Sequence, residues 1–181
     1  MKRQFLIKTA VMTAVMAAVV FSLGSCEKDS FKVFSRKYRV HFSCDMSLPP
    51  FRQAADTPGR FIAVRRSAAG RLTVTDPDGG SAEVELTQQQ DMTFLMGLSG
   101  LILGKPTFNN EKMEVWAYDL GCPQCDIELY RLSISTDGKA TCPHCRNVWD
   151  LNSGGFPVSA GPRTLYRYPT SAYGSQLTVS N

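Results

Sequence analysis

The stretch "GCPQCDIELYRLSISTDGKATCPHCRNVWDL", residues 121–151, carries four of the chain's six cysteines as two C-P-x-C pairs. Two residues separate Cys122 from Cys125 and Cys142 from Cys145, and sixteen residues lie between the pairs. This is the C-x2-C-x15–20-C-x2-C arrangement of a metal site. Two thiolates at i and i+3 of a tight knuckle can reach one ion. A hairpin that brings a second knuckle alongside completes a tetrahedron with metal–sulfur distances of about 2.3 Å. Asp137-Gly138 reads as the turn of that hairpin, and Pro123 and Pro143 stiffen the knuckles by holding φ near about −65°.

Paired cysteines have two other common uses, and both fit less well. A disulfide inside C-x-x-C closes a cramped ring, and pairing across the hairpin requires no matched knuckles. "CPHC" alone resembles a thioredoxin-type redox site. That site opens a helix in a βαβ unit, whereas "RNVWDLNSGG" reads as strand and turn.

Outside this stretch the sequence is a succession of short alternating or β-branched runs: "YRVHF" (38–42), "RFIAVRR" (60–66), "RLTVT" (71–75), "AEVEL" (82–86), "EVWAYDL" (114–120), "ELYRLSIS" (128–135), "NVWDL" (147–151) and "SQLTVS" (175–180). Turn residues separate them at "DPDGG" (76–80), "TDG" (136–138) and "SGG" (153–155). Few windows carry a 3.6-residue apolar stripe, so the fold class expected is mainly β. The run "MTFLMGLSGLILG" (92–104) is apolar almost throughout and holds three glycines, which predicts a buried loop or broken strand under the metal region rather than a helix.

The first 25 residues read as an export signal, with Lys2, Arg3 and Lys8 ahead of a short apolar run. The sequence "LGSC" at its end resembles a lipobox, so Cys26 is expected to be the lipidated N-terminus of a bacterial lipoprotein. The polar residues 26–37 read as a tether, and residues 38–181 as a single domain with its metal subdomain at about 115–168. The partner implied is a membrane, reached through the lipid, and the place is the outer membrane, on its periplasmic face or at the cell surface. Without the signal's three cations, the 20 basic residues fall to 17 against 16 acidic ones, a net charge of +1. That balance gives no reason to expect nucleic acid, and Arg65-Arg66 reads as a solvated pair at a strand end.

"VWAYDLGCP" followed by "CPHCRNVWDLNSGGFPVSAGPRTLYRY" resembles a Rieske domain, and "GLSGLILG" resembles the stretch ahead of the first ligand box in Rieske-like lipoproteins. The likeness covers about residues 97–181 and implies an antiparallel β-sandwich with a rubredoxin- or zinc-ribbon-like metal subdomain. It also implies a [2Fe–2S] cluster held by two cysteines and two histidines, in C-x-H and C-x-x-H boxes. Here the histidine positions are Gln124 and Cys145. The chain's two histidines stand elsewhere: His41 on "YRVHF", as an ordinary half-buried residue, and His144 inside the second knuckle. The ligand set expected is therefore Cys122, Cys125, Cys142 and Cys145. The metal expected is zinc, with mononuclear iron or an all-cysteine [2Fe–2S] cluster as alternatives.

Catalysis is not expected. There is no G-x-S-x-G and no phosphate-binding glycine loop, and a closed four-thiolate shell lacks the open position of a hydrolytic zinc. The ion is expected to be mainly structural, the alternative being an electron carrier. Asp119, Asp126 and Glu128 flank the thiols and are expected to be solvated, and Cys44 is expected to be a small buried residue.

Overall fold

The structure is a computed structural model, describing residues 34–68, 70–108 and 114–181. Lipidation at Cys26 and the export signal lie outside the described residues. All strand pairs are antiparallel, so the chain is mainly β, as its alternating runs predict.

A six-stranded sheet forms the middle of the domain. Its strands are β2 (Phe61–Ala68), β3 (Arg71–Thr75), β4 (Ser81–Glu85), β6 (Leu101–Gly104), β7 (Trp116–Asp119) and β12 (Arg167–Tyr168), in the order β12-β7-β6-β2-β3-β4. A second sheet joins β1 (Val40–Asp45), β5 (Leu95–Met96), β13 (Thr170–Tyr173) and β14 (Gln176–Ser180), in the order β13-β14-β1-β5. A third, small sheet is the metal module, ordered β11-β10-β9-β8 from β8 (Ser133–Ile134), β9 (Lys139–Thr141), β10 (Val148–Asp150) and β11 (Phe156–Pro157).

The period-two side-chain rule explains why the middle sheet serves two cores. Ile62, Val64, Leu72, Val74, Leu101 and Leu103 point one way, into the core shared with Val40, Phe42, Leu177 and Val179 of the second sheet. Phe61, Ile102 and Tyr118 point the other way, into the core shared with Leu132, Ala140, Trp149 and Leu151 of the metal module. All four residues of β6 are buried because both faces of that strand are covered. This is why 101–104 reads without alternation: a strand covered on both sides shows none. Within 92–104, Met92 and Thr93 close a short helix, and Met92 and Leu95 are exposed, which departs from the expected burial. The rest is a broken strand, β5 and β6 with a glycine-rich turn between them, and Ile102 lies under the metal module as expected.

Two helices were not expected. Helix α1 (Pro49–Asp56) begins at a Pro-Pro pair, which suits a first helical turn that needs no N–H donors, and buries Phe51 and Ala54 three residues apart. Helix α2 (Gln88–Thr93) opens with a capping box: Thr87 accepts from the Gln90 N–H while the Gln90 side chain accepts from the Thr87 N–H. The expected strand at 128–135 shortens to β8, because residues 127–130 form a turn that closes the first knuckle.

The metal module is inserted between β7 and β12, which pair with each other (Arg167 opposite Tyr118, Tyr168 opposite Ala117). Residues 120–165 therefore leave and re-enter the middle sheet at adjacent points. At the other end, Ser35 N–H donates to Arg167 O (2.7 Å), and the Arg167 guanidinium lies over the rings of Trp116 (4.0 Å) and Phe34 (5.4 Å). Part of the segment read as tether is thus packed on the domain.

Ile102 is fully buried against the metal module, so Ile102→Ala removes methyl groups from that core alone. We expect a loss of about 2–5 kcal/mol in urea denaturation.

Candidate metal centre

Each knuckle is the loop of a hairpin. The first is framed by the Gly121–Arg131 bridge, with Cys122 N–H donating to Tyr130 O (3.0 Å). The second is framed by Thr141 opposite Val148, with Cys142 N–H donating to Asn147 O (3.0 Å). Inside each, the residue after the second cysteine turns back to the first: Asp126 N–H to Cys122 O (2.8 Å) and Arg146 N–H to Cys142 O (2.9 Å). That turn requires left-handed backbone, and Asp126 (φ 58°) and Arg146 (φ 60°) are the only non-glycine residues at positive φ among those described. The hairpin joining the knuckles turns at Thr136-Asp137-Gly138, with Gly138 at φ 73°, the three-residue loop that the sequence signals.

The four sulfurs lie within 4.8 Å of one another. Two contacts cross between knuckles, Cys122 Sγ to Cys145 Sγ at 3.6 Å and Cys125 Sγ to Cys142 Sγ at 3.9 Å. A regular tetrahedron with metal–sulfur bonds of about 2.3 Å has edges of about 3.8 Å, so the four cysteines are positioned to bind a metal ion. Cys122 and Cys142 are fully buried, and Cys125 and Cys145 reach towards the surface. Backbone donors already aim at the sulfurs, as with Cys125 N–H to Cys122 Sγ (3.4 Å).

Electrostatics point the same way. Burial pushes the Cys122 thiol far up, with the N–H groups of Cys125 and Gln124 offsetting only part, and burial pushes Cys125 up to about 11. At Cys145 burial also pushes upward, but the Asn147 N–H and the neighbouring thiols outweigh it and bring that thiol below its ordinary value. Ionising buried thiols such as Cys122 calls for a cation among them.

Neither histidine joins the set. His144 sits outside the tetrahedron, its Nδ1 3.5 Å from Cys125 Sγ and its ring stacked on Tyr130 at 4.0 Å. His41 is exposed on β1, more so than expected, with its neighbours Val40 and Phe42 turned into the core. Cys44 is buried, with its sulfur 3.5 Å from Met46 Sδ, and burial pushes its thiol up to about 12, which makes it an unreactive core residue.

The flanking carboxylates depart from expectation. Only Glu128 is exposed. Asp119 is fully buried and accepts four hydrogen bonds: Leu98 N–H (2.7 Å), Ser99 N–H (3.3 Å), Gly121 N–H (2.6 Å) and Tyr168 O–H (2.6 Å). Burial raises its pKa and these donors offset part of the rise. A side chain at Gly97 would place Cβ 2.2 Å from Asp119 Oδ2, and one at Gly121 would place it 2.7 Å from the Leu98 side chain. Asp126 is half-buried and bonded to Lys37, to Tyr38 O–H (2.8 Å) and to Tyr166 O–H (2.9 Å). Lys37 and the tyrosine donors hold its carboxyl below the usual range.

No protein-family model matches this chain, and a comparison with curated proteins finds no match.

Asp119→Asn replaces an acceptor-only group with one that presents an NH2 to neighbouring donors. We expect about 1–3 kcal/mol of destabilisation by thermal or urea unfolding, at unchanged side-chain volume.

Proposed function

We propose that this chain is a lipid-anchored envelope protein of the outer membrane, held by acylated Cys26. Its Rieske-like β-domain binds one metal ion through Cys122, Cys125, Cys142 and Cys145, and the ion mainly stabilises the fold. The observation that carries this reading is the all-sulfur tetrahedron with two of its corners buried. Such a shell leaves no protein-free coordination position for a substrate, so we assign no catalytic role.

Zinc is the proposed ion. That all four sulfurs lie within 4.8 Å of one another supports a single ion over a two-iron cluster, which would divide the cysteines into two separated pairs. The resemblance to Rieske domains at residues 97–181 gains support from the mainly antiparallel β architecture and its separate cysteine-bearing module. The module's sheet is built of strands only two or three residues long, so an ion supplying on the order of 10 kcal/mol of apparent binding free energy would decide whether it folds.

Mononuclear iron serving electron transfer is the second reading. It is favoured by Cys125 and Cys145, which lie near the surface at the tip of the module, where a short path for an electron is available.

Metal analysis and spectroscopy separate the two. We expect one colourless metal equivalent per chain, retained by His144→Ala and lost by Cys145→Ala. Removing it with a strong chelator should shift the emission of Trp149, fully buried beside the site, towards the solvent-exposed value, and loosen residues 115–168 in hydrogen exchange. Visible absorption with a reversible one-electron couple, and an intact module after metal removal, would establish the electron carrier instead.

The anchor has its own test. Cys26→Ser should release the protein from membranes or leave its signal uncleaved, as read by fractionation and intact mass; unchanged membrane association in the variant refutes lipidation at Cys26.

A further inference from the structure

Arg65 is absorbed neither by the metal centre nor by the solvated pair that the sequence suggests. Its neighbour Arg66 points the opposite way and is fully engaged, bonded to the Asp91 carboxylate and to the carbonyls of Asp91 (3.2 Å) and Phe94 (3.4 Å). Arg65 is half-buried on the module-facing side of β2 and has no side-chain hydrogen bond or ion pair among the described residues. It lines a cleft of about 310 Å³ between the middle sheet and the outer edge of β8. The opposite wall carries Arg131, whose guanidinium is likewise without a partner among the described residues.

We propose that this cleft binds a small organic oxyanion, a phosphate or carboxylate head on a short apolar body. The two arginines supply the head group's site. Arg65, half-buried, and Arg131, exposed, both line the crevice, and an oxyanion bridging them would form charge-assisted hydrogen bonds to both. The body's site is mainly apolar: Ala63, Pro77, Leu120, Leu132 and Ile134 supply its apolar wall, with Thr75 and Ser133 beside them. The volume is at the lower end of the range of about 300–1,000 Å³ that ligand clefts occupy, so the occupant is small.

One carboxylate, Asp76, also lines the cleft. Its Oδ1 accepts the N–H groups of Asp78 and Gly80, both at 2.9 Å, and its Oδ2 lies 3.8 Å from the Arg60 guanidinium. Its charge is therefore already engaged outside the arginine pair. The turn it organises, with Pro77 and Gly79, forms the rim.

The site spans two layers. Arg65 belongs to the middle sheet, whereas Arg131 sits in the bridge to Gly121 that frames the first knuckle, and Leu132 N–H donates to Leu120 O (2.8 Å) beside it. A bound oxyanion would clamp the hairpin of the metal module to β2. The inference does not depend on which metal the module holds.

Isothermal titration of the full-length, metal-containing protein with phenyl phosphate tests it, with inorganic phosphate and phenol as head and body alone. We expect saturable binding with Kd below about 1 mM. Each fragment alone should bind at least about tenfold more weakly. Arg65→Gln and Arg131→Gln should each weaken phenyl phosphate about tenfold or more, in line with the loss of a charged hydrogen bond, and Arg131→Lys should retain part of the affinity. Arg71→Gln, on the exposed face of the β3–β4 hairpin, should have no effect. Unchanged Trp149 emission and melting temperature in both Gln variants show that the fold is intact; if either variant unfolds, the Arg→Lys forms carry the comparison. Absence of saturation up to about 10 mM phenyl phosphate, equal binding of phenol, or wild-type affinity in both Gln variants overturns the proposal. So does an arginine-dependent response to phosphatidylglycerol vesicles without one to phenyl phosphate, which would make the cleft a lipid-headgroup site.

Discussion

A carboxylate removed from water must be surrounded by donors, and the fully buried side chain of Asp119 draws its donors from three separate parts of the chain. Leu98 and Ser99 belong to the turn between β5 and β6, Gly121 to the entry of the first knuckle, and Tyr168 to β12. These are the points at which the second sheet, the metal module and the middle sheet meet. Satisfying one acceptor group therefore sets the relative placement of all three. The close approach leaves no room for a Cβ at Gly97 or Gly121, and this accounts for the glycines bracketing the site better than turn formation alone. A residue three positions before the first ligand thus does more to place the knuckle than any side chain inside it.

The module's sulfur set shows a similar division between inner and outer positions. Cys122 and Cys142, the first cysteines of their knuckles, are sealed in the core with Trp149 and Leu132, whereas the second cysteines lie under the surface beside His144 and Asp126. Burial dominates at Cys122, whereas at Cys145 the Asn147 N–H and the neighbouring thiols outweigh it. On the outer side, Asp126, through Lys37, Tyr38 and Tyr166, ties the first knuckle to the segment that precedes β1. One face of the site is held by packing and the other by a polar latch.

How much of this is legible in the sequence depends on whether a feature is local. The cysteine spacing and the Asp-Gly turn are local, and both hold in the structure. Most of the strands were also legible, because one side of each faces solvent or a different layer and alternation survives. Strand β6 shows no alternation, since Leu101, Ile102 and Leu103 are covered on both sides, and its role emerges only when both cores are assembled. Helix α1 is too short for a stripe, but its Pro-Pro start was a usable signal, as was the Thr87/Gln90 capping box of α2. The positive-φ positions after each knuckle were hidden because Asp126 and Arg146 stand where glycine is the usual signal. The burial of Asp119 is not legible locally for a physical reason: of its donors only Gly121 is near in sequence, and Leu98, Ser99 and Tyr168 lie about twenty and forty-nine residues away.

The pairing of β7 with β12 has a consequence for how such a chain can change over time. Because the module departs and returns on neighbouring strands, the sandwich experiences the insertion as a loop whose ends are already joined. The entropic cost of closing a loop grows slowly with its length, about 0.6 kcal/mol per doubling, so the scaffold is nearly indifferent to what is spliced there. Ligand residues can be exchanged, or the whole cassette lengthened, replaced or transplanted to another host, while the core between the middle and second sheets stays as it is. What recombination must preserve is a small docking face, chiefly Phe61, Ile102 and Tyr118, together with the acceptor at the junction.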